Sequence, residues 1–124
     1  MKGYIIYNTE DLTKNKRFIK FITETLNEYN IDVELVINDR VELAEHENPD
    51  FVINRSRNAD VSRYFEGKNI RVFNSGKITE IANDKRKSYE YLEGIVPFMP
   101  LMSEEEAESS GKPYIIKSCN GHGG

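Results

Sequence analysis

Short apolar runs alternate with helix-patterned segments through the first 75 residues of the chain. Each run is rich in β-forming residues and is followed by polar or helix-breaking residues. The segments between the runs carry apolar residues at helical spacing. The four runs are Tyr4–Tyr7, Ile31–Ile37, Phe51–Arg55 and Ile70–Asn74. Regular alternation of this kind predicts an α/β fold, with a parallel sheet and helices on its faces.

The helix predictions rest on apolar residues three and four positions apart. The longest predicted helix runs from Asn15 to Asn30, and the residues expected to face the core are Phe18, Phe21, Ile22, Thr25, Leu26 and Tyr29. Shorter helices are predicted at 59–65, facing inward with Val61, Tyr64 and Phe65, and at 76–82, facing inward with Ile78, Ile81 and Ala82. A helical turn is also predicted between residues 42 and 49.

Polar sequences follow three of the predicted strands. They read NTED after the first, RSRN after the third and NSGK after the fourth. In parallel sheets, ligands bind outside the carboxyl ends of the strands. The sequence therefore places a candidate ligand site at that edge of the sheet.

The composition argues against nucleic acid or a membrane as a partner. The 124 residues carry a formal net charge of −4, with 38% hydrophobic and 31% charged residues. No apolar run approaches the roughly 18 residues of a membrane span, and the chain turns polar at Asn8, too early for a signal peptide. Cys119 is the single cysteine, which excludes an internal disulfide. We expect a cytoplasmic protein.

The character of the sequence changes near residue 93. GIVPFMP is a crossing segment that Pro97 and Pro100 favour in extended form. A short acidic helix capped by Ser103 and a strand, PYIIK, are predicted after it. We expect two domains, 1–93 and 94–124, with the second incomplete.

The glycine-rich end, NGHGG, allows two interpretations. A glycine cluster at a chain end is often a flexible tail. It also follows a predicted strand that ends in Lys117, and glycine backbone N–H groups beside an ammonium group can bind phosphate oxygens. The sequence matches neither the P-loop nor the dinucleotide-binding motif.

The basic cluster DKRK, from Asp84 to Lys87, is similarly ambiguous. Asn83 or Asp84 would cap a helix, with Tyr89 and Leu92 inward, and three cations would lie in its first turn, where they oppose the helix dipole. Either these cations are solvated surface groups, or at least one of them faces an anionic ligand.

Several motifs in order resemble the ATP-grasp superfamily, nearest to RimK-like amino-acid ligases. The resemblance covers about residues 50–124 and rests on DFVINRSRNAD, NSGKITEIANDKRK, GIVPFMP and GKPYIIKSCNGHGG. It implies a Rossmann-like pre-ATP-grasp domain, followed by the start of the ATP-grasp small lobe. It also implies an ATP-dependent carboxylate–amine ligase that forms an acyl-phosphate intermediate.

The resemblance also assigns site residues. Those implied to contact the ATP phosphates are Lys85, Lys117, Gly121, Gly123 and Gly124. Arg55 and Ser56 would help to line the acceptor-substrate site. The resemblance implies ATP and magnesium as cofactors, with small carboxylate and amine substrates.

The chain departs from the family because it has no second lobe, where the metal ligands and the catalytic arginine would lie. We therefore expect the N-terminal part of a longer ligase, inactive alone and without tight cofactor binding, and we assign no catalytic residue. A metal site is not expected either, because Cys119, His122 and His46 are the only soft donors.

Two alternatives to the ligase remain open. One is a non-catalytic α/β module that binds a ligand or a partner subunit, and the other is a flavodoxin-like domain unrelated to ATP. We also expect a homodimer, because an unpaired strand at Tyr114–Lys117 would recruit another chain.

Overall fold

The computed structural model describes residues 1–39, 48–97 and 99–119. The helices and strands within these ranges are β1 (Lys2–Tyr7), α1 (Thr9–Glu28), β2 (Asp32–Ile37), β3 (Phe51–Asn54), α2 (Ala59–Glu66), β4 (Arg71–Phe73), α3 (Gly76–Ala82), α4 (Lys85–Leu92) and α5 (Glu104–Ser109). The chain divides into two compact units, Met1–Glu80 and Ile81–Gly124. The domain boundary predicted between residues 93 and 94 falls inside the second unit and stays a prediction.

The first unit contains a four-stranded parallel sheet in the order β2-β1-β3-β4. β1 lies at its centre, with Gly3 in register with Val33 of β2 on one side and with Phe51 of β3 on the other. This sheet confirms the predicted α/β class and all four strands of the first 75 residues. The helical turn predicted between residues 42 and 49 lies almost entirely outside the described residues.

The side chains of β1 alternate between two apolar clusters, as the period of a strand requires. Tyr4 and Ile6 pack with Val61 and Phe65 of α2. On the opposite face, Ile5 and Tyr7 form a cluster against which the apolar residues of α1 pack, namely Leu12, Ile19, Ile22 and Leu26. The two helices therefore cover opposite faces of the sheet, and both faces of β1 are buried.

Gly3 is required by the close approach of an aromatic ring to β1. A Cβ atom at this position would lie 2.2 Å from Cζ of Phe51, far inside van der Waals contact. The Phe51 ring fills this space and makes an edge-to-face contact with Phe73, with 6.1 Å between ring centroids. Because Gly3 has no side chain, Phe51 of β3 can pack in the apolar cluster that contains Ile5 and Tyr7.

α1 differs from its prediction in start and orientation. It begins at Thr9, because the Asp39 carboxylate accepts hydrogen bonds from the Thr9 N–H and hydroxyl. Acidic residues in the first turn also favour this start. The predicted aromatic stripe is wrong in part, since Phe18, Phe21 and Tyr29 are exposed. The row that meets the sheet begins at Leu12, which precedes the predicted helix start at Asn15.

The predicted inward face of α3 is wrong in part, since only Ile81 of its three residues is half-buried. Ile78 and Ala82 are exposed, whereas Gly76 and Thr79 are buried. The Thr79 hydroxyl donates a hydrogen bond to the carbonyl of Asn74, which turns this side of the helix toward the sheet. Ser75 caps the helix as predicted, accepting from the Ile78 N–H at 3.3 Å.

The second unit contains α4, α5 and connecting segments. Asp84 caps α4 by accepting from the N–H groups of Arg86 and Lys87, and Ser103 caps α5, as predicted. Tyr89 is half-buried, but Leu92 is exposed, contrary to the prediction.

The strand predicted at PYIIK is wrong, because residues 113–118 have no regular secondary structure. A strand needs a neighbour for its N–H and C=O groups. The Ser118 carbonyl instead accepts a hydrogen bond from the side chain of α4 residue Lys85.

Candidate functional site

The strand order creates a crevice at the carboxyl edge of the sheet. Connections leave β1 and β3 toward opposite faces, so the carboxyl ends of these neighbouring strands form a topological switch point, the usual ligand position in such sheets. Asn8 follows β1, and the loop 55–58 follows β3. We call this region, with the first turn of α1, the switch-point edge.

A polar network holds the two loops of the switch-point edge together. The Asn8 side-chain amide donates to the carbonyl of Ser56 at 3.0 Å. Its side-chain oxygen accepts from the Asn38 amide at 3.2 Å. Because Asn8 makes these bonds, its side chain does not cap α1, and the residues after β1, β2 and β3 become one connected surface.

Asn54 is the buried centre of this network. Its side-chain amide donates to the Ser62 hydroxyl and to the carbonyl of Asn58, and its side-chain oxygen accepts from the N–H and hydroxyl of Ser56. Asn54 and Ser56 are each only 2% exposed. Ser56 is one of the residues predicted to line the substrate site. Its hydroxyl therefore donates its hydrogen bond to a buried partner inside the protein.

Arg57 ties the loop after β3 to the start of α1. Its backbone is in the left-handed region, with φ of 64°, which is uncommon outside glycine and asparagine. Its guanidinium forms ion pairs with Asp11 and, at 3.0 Å, with Glu10. Arg57 therefore carries compensated charge and has a structural role in this loop.

Arg55 differs from Arg57 because its guanidinium is exposed and makes no ion pair with any residue in the described ranges. Its Nε donates to the Tyr7 hydroxyl at 3.3 Å. The guanidinium carbon lies 5.3 Å from the centroid of the Phe18 ring, within cation–π distance. The two contacts hold the Arg55 cation, which has no ionic partner among the residues described, in one place at the switch-point edge.

A second cluster lies in the second unit around Lys85. The Lys85 backbone N–H donates to the carbonyl of Cys119 at 2.9 Å, and its Nζ donates to the carbonyl of Ser118 at 3.2 Å. These residues directly follow Lys117 in the chain. Two cations predicted to share one ligand are therefore carried by segments in direct contact, although Lys85 and Ser118 are 33 positions apart.

The remaining predicted site residues, Gly121, Gly123 and Gly124, lie outside the described residues. Among those that are described, Arg55 and Ser56 meet at the switch-point edge, and Lys85 meets the segment after Lys117. Sequence reasoning did not identify Tyr7, Phe18 or Asn54 as part of a site. The only signal for them was the polar sequence after each strand, since Tyr7 and Phe18 follow ordinary core patterns.

The clearest electrostatic perturbations belong to residues that are not part of either cluster. The pKa of Glu106 is lowered from its ordinary value because its carboxylate accepts from the backbone N–H of Ser103 and, secondarily, from the Ser103 hydroxyl. The pKa of Arg63 is raised by its bonds to Asp60 and Glu80. Both shifts accompany structural contacts at or near helix ends.

Two further properties concern the described part of the chain. Within it, no group of three or more His, Cys, Asp or Glu side chains is arranged to hold a metal ion. None of its helices combines the length and apolar character needed to cross a membrane.

Two mycoplasma proteins are similar to the chain. The uncharacterized protein MG011 of Mycoplasma genitalium is 27% identical over 130 residues, covering 99% of the chain and 45% of that protein. The MG011 homolog of Mycoplasma pneumoniae is 32% identical over 94 residues, covering 73% of the chain and 33% of that protein. The chain thus spans less than half the length of these curated relatives. No protein-family model matches it.

Proposed function

We propose that the chain supplies the pre-ATP-grasp domain and the beginning of the ATP-grasp small lobe of a RimK-like carboxylate–amine ligase. In this reaction the γ-phosphoryl group of ATP passes to a substrate carboxylate, which releases ADP. The substrate amine then attacks the acyl carbon and phosphate leaves. The proposal assigns ATP phosphate binding to Lys85 and Lys117, with Gly121, Gly123 and Gly124 as the loop beside them.

The observation that carries the proposal is the pair of hydrogen bonds from Lys85 to the carbonyls of Ser118 and Cys119. A phosphate chain needs several donors and cations within a few ångströms of one another. The contact brings the segment after Lys117 to the first turn of α4, where Lys85 begins the helix. The length of the relatives that lies outside their alignment with the chain also leaves room for a second lobe.

The described residues contain no group of three or more His, Cys, Asp or Glu side chains arranged to hold a metal ion, and the proposal assigns no magnesium ligand among them. The proposal therefore routes no step of this chain through the metal. Its residues bind and position phosphate groups.

Titration of the chain with Mg·ATP, followed by amide NMR, tests the proposal. We expect saturable shifts at Lys85, Ser118 and Cys119. Because each lysine would supply a charge-assisted bond, K85A and K117A should each weaken binding about tenfold. K112A removes the same charge from the same unit and should leave binding unchanged. Saturable binding that neither K85A nor K117A weakens would contradict the phosphate assignment, as would the absence of binding.

The ligase chemistry has a separate test. The coding sequence past Gly124 should supply an acidic metal-binding motif and a second lobe. The protein that includes them should form an acyl phosphate that hydroxylamine traps when ATP and a carboxylate substrate are present. A coding sequence without these features would exclude the ligase.

A non-catalytic binding module is the second candidate. It is favoured by the switch-point edge, whose network and exposed Arg55 are formed entirely by residues of the first unit. Ligand binding at this edge that persists without ATP, in a protein that never forms an acyl phosphate, would favour the module over the ligase.

A further inference from the structure

We infer that Arg55 binds a carboxylate group of a small ligand at the switch-point edge, with Tyr7 and Phe18 as positioning residues. The inference deepens the proposed function. The identification of this ligand as a ligase substrate rests on that proposal. The binding itself depends only on residues of the first unit.

The first step of the argument is the difference between the two arginines of the loop after β3. Arg57 pairs with Glu10 and Asp11. Arg55 is exposed, and it pairs with no carboxylate of the residues described. The carboxylates of Glu10 and Asp11 pair with Arg57 and not with Arg55. The Arg55 cation is therefore the one of the two that a ligand can bind.

The second step is the orientation of the Arg55 guanidinium. Its Nε is occupied by the Tyr7 hydroxyl, and one face lies against the Phe18 ring. The Nη1 and Nη2 pair then forms the end-on fork that matches the two oxygens of a carboxylate. Tyr7 is 1% exposed, so the group that directs the fork is itself fixed in the core, which lowers the entropy lost when a ligand binds.

The third step concerns the choice between a carboxylate and a phosphate. Among the described residues, the switch-point edge and the neighbouring Asp39 carry three carboxylates, the other two on Glu10 and Asp11, against two guanidinium groups, on Arg55 and Arg57. The surplus negative charge opposes a dianion more strongly than a monoanion, because the Coulomb energy scales with ligand charge. A carboxylate therefore suits this edge better than a phosphate dianion.

Sodium acetate, added to the intact chain, is the probe that tests the inference. NMR detection of the Arg55 side-chain Nε–H reports the guanidinium directly, and sodium chloride at equal ionic strength provides the reference. We expect a saturable acetate-dependent shift of this resonance and of the Arg55–Arg57 amides. R55Q should weaken acetate binding about tenfold or more, because it removes charge-assisted hydrogen bonds.

Matched variants separate recognition from folding and from general charge. R17Q removes the same charge from an exposed position of α1 and should leave acetate binding unchanged. R55K keeps the charge without the fork, so its binding should fall between those of the native protein and R55Q. If R55Q does not fold, R55K still tests the fork. Y7F should change the Nε–H resonance and weaken binding without moving the unfolding transition by a comparable amount.

Three results would overturn the inference. The first is that acetate and chloride cause the same shifts. The second is that R55Q or R55K binds acetate as tightly as the native chain does. The third is that inorganic phosphate binds more tightly than acetate. The outcome is independent of the ligase proposal. If acetate binds through Arg55 while K85A and K117A leave Mg·ATP binding unchanged, the proposed function fails and the carboxylate site stands.

Discussion

The Asn54 side chain makes four hydrogen bonds at the switch-point edge. It holds the loop after β3 through Ser56 and Asn58 and reaches α2 through Ser62. Ser62 in turn donates to the carbonyl of Asn74 after β4. Because every hydrogen-bonding atom of the Asn54 amide is used, no other side chain of similar size can replace it without leaving a buried group unpaired.

Substitution N54A should therefore destabilise the first unit markedly. Removing the amide leaves buried donors and acceptors without partners, which should lower the free energy of unfolding by about 2–3 kcal/mol. Urea unfolding followed by circular dichroism measures the change. The exposed residue Asn27 provides the control, since N27A should alter stability by less than about 0.5 kcal/mol. Equal effects of the two substitutions would show that the network contributes little.

The roles of individual site residues were only partly predictable at this scale. RSRN after a strand predicted that Arg55 and Ser56 would lie at the carboxyl edge of the sheet, and both lie directly after β3. Sequence position does not distinguish Arg55 from Arg57, because both are arginines in one loop. The distinction arises from Glu10 and Asp11, which are distant in sequence and reach the loop only through the packing of α1.

Helix capping is the property of individual elements that the sequence predicted best. Ser103 begins α5 with a reciprocal pair of bonds, its hydroxyl accepting from the Glu106 N–H and its backbone N–H donating to the Glu106 carboxylate. Ser103 and Glu106 are three residues apart, so the capping pattern can be recognised from the sequence without tertiary information.

The capping box makes α5 sensitive to pH. Its hydrogen bonds lower the pKa of Glu106 in the folded state, chiefly through the Ser103 backbone N–H. The stabilisation is therefore present above the ordinary glutamate pKa and is lost as pH falls through the lowered value. Carboxyl carbon NMR should record a Glu106 pKa below the ordinary value, and S103A should raise it, because the hydroxyl contact is lost. S110A makes the same change at the other end of α5 and should leave the Glu106 pKa unchanged. If S110A raised this pKa as much as S103A does, the capping contact would not be its cause.

The orientation of α1 was the element-scale prediction that failed in part. Helical spacing allowed two neighbouring faces, one with Phe18, Phe21 and Tyr29 and one with Leu12 and Ile19. The sheet contacts the second face, because Leu12 lies in a first turn that begins at the Thr9–Asp39 contact. The choice of face therefore depended on where the helix begins.

The whole molecule is predicted to associate through the segment Tyr114–Lys117. Ile115 is 71% exposed and Ile116 is 73% exposed, and the segment has no strand beside it within the described part of the chain. An exposed apolar segment of this kind recruits other chains. We expect a dimer in sedimentation velocity.

Substitution I116K places a charge in this segment and should shift the chain toward monomer, because a buried ammonium group opposes association. F21K, which adds the same charge at an exposed aromatic position of α1, should leave the dimer intact. A native chain that sediments as a monomer at all concentrations would contradict the prediction, and equal effects of I116K and F21K would place the contact elsewhere.

Local sequence determined the α/β class, the four strands and the helix caps, because strand propensity, helical spacing and capping bonds act over a few neighbouring residues. The order β2-β1-β3-β4, the buried face of α1 and the pairing of Arg57 with Glu10 and Asp11 required the tertiary structure. These features depend on contacts between residues far apart in the chain, 30 positions for Thr9 and Asp39 and 48 for Tyr7 and Arg55, and on which neighbours remain for each backbone and side-chain group after the sheet has formed. The missing strand at PYIIK has the same cause, since a strand is defined by its partner as much as by its own residues.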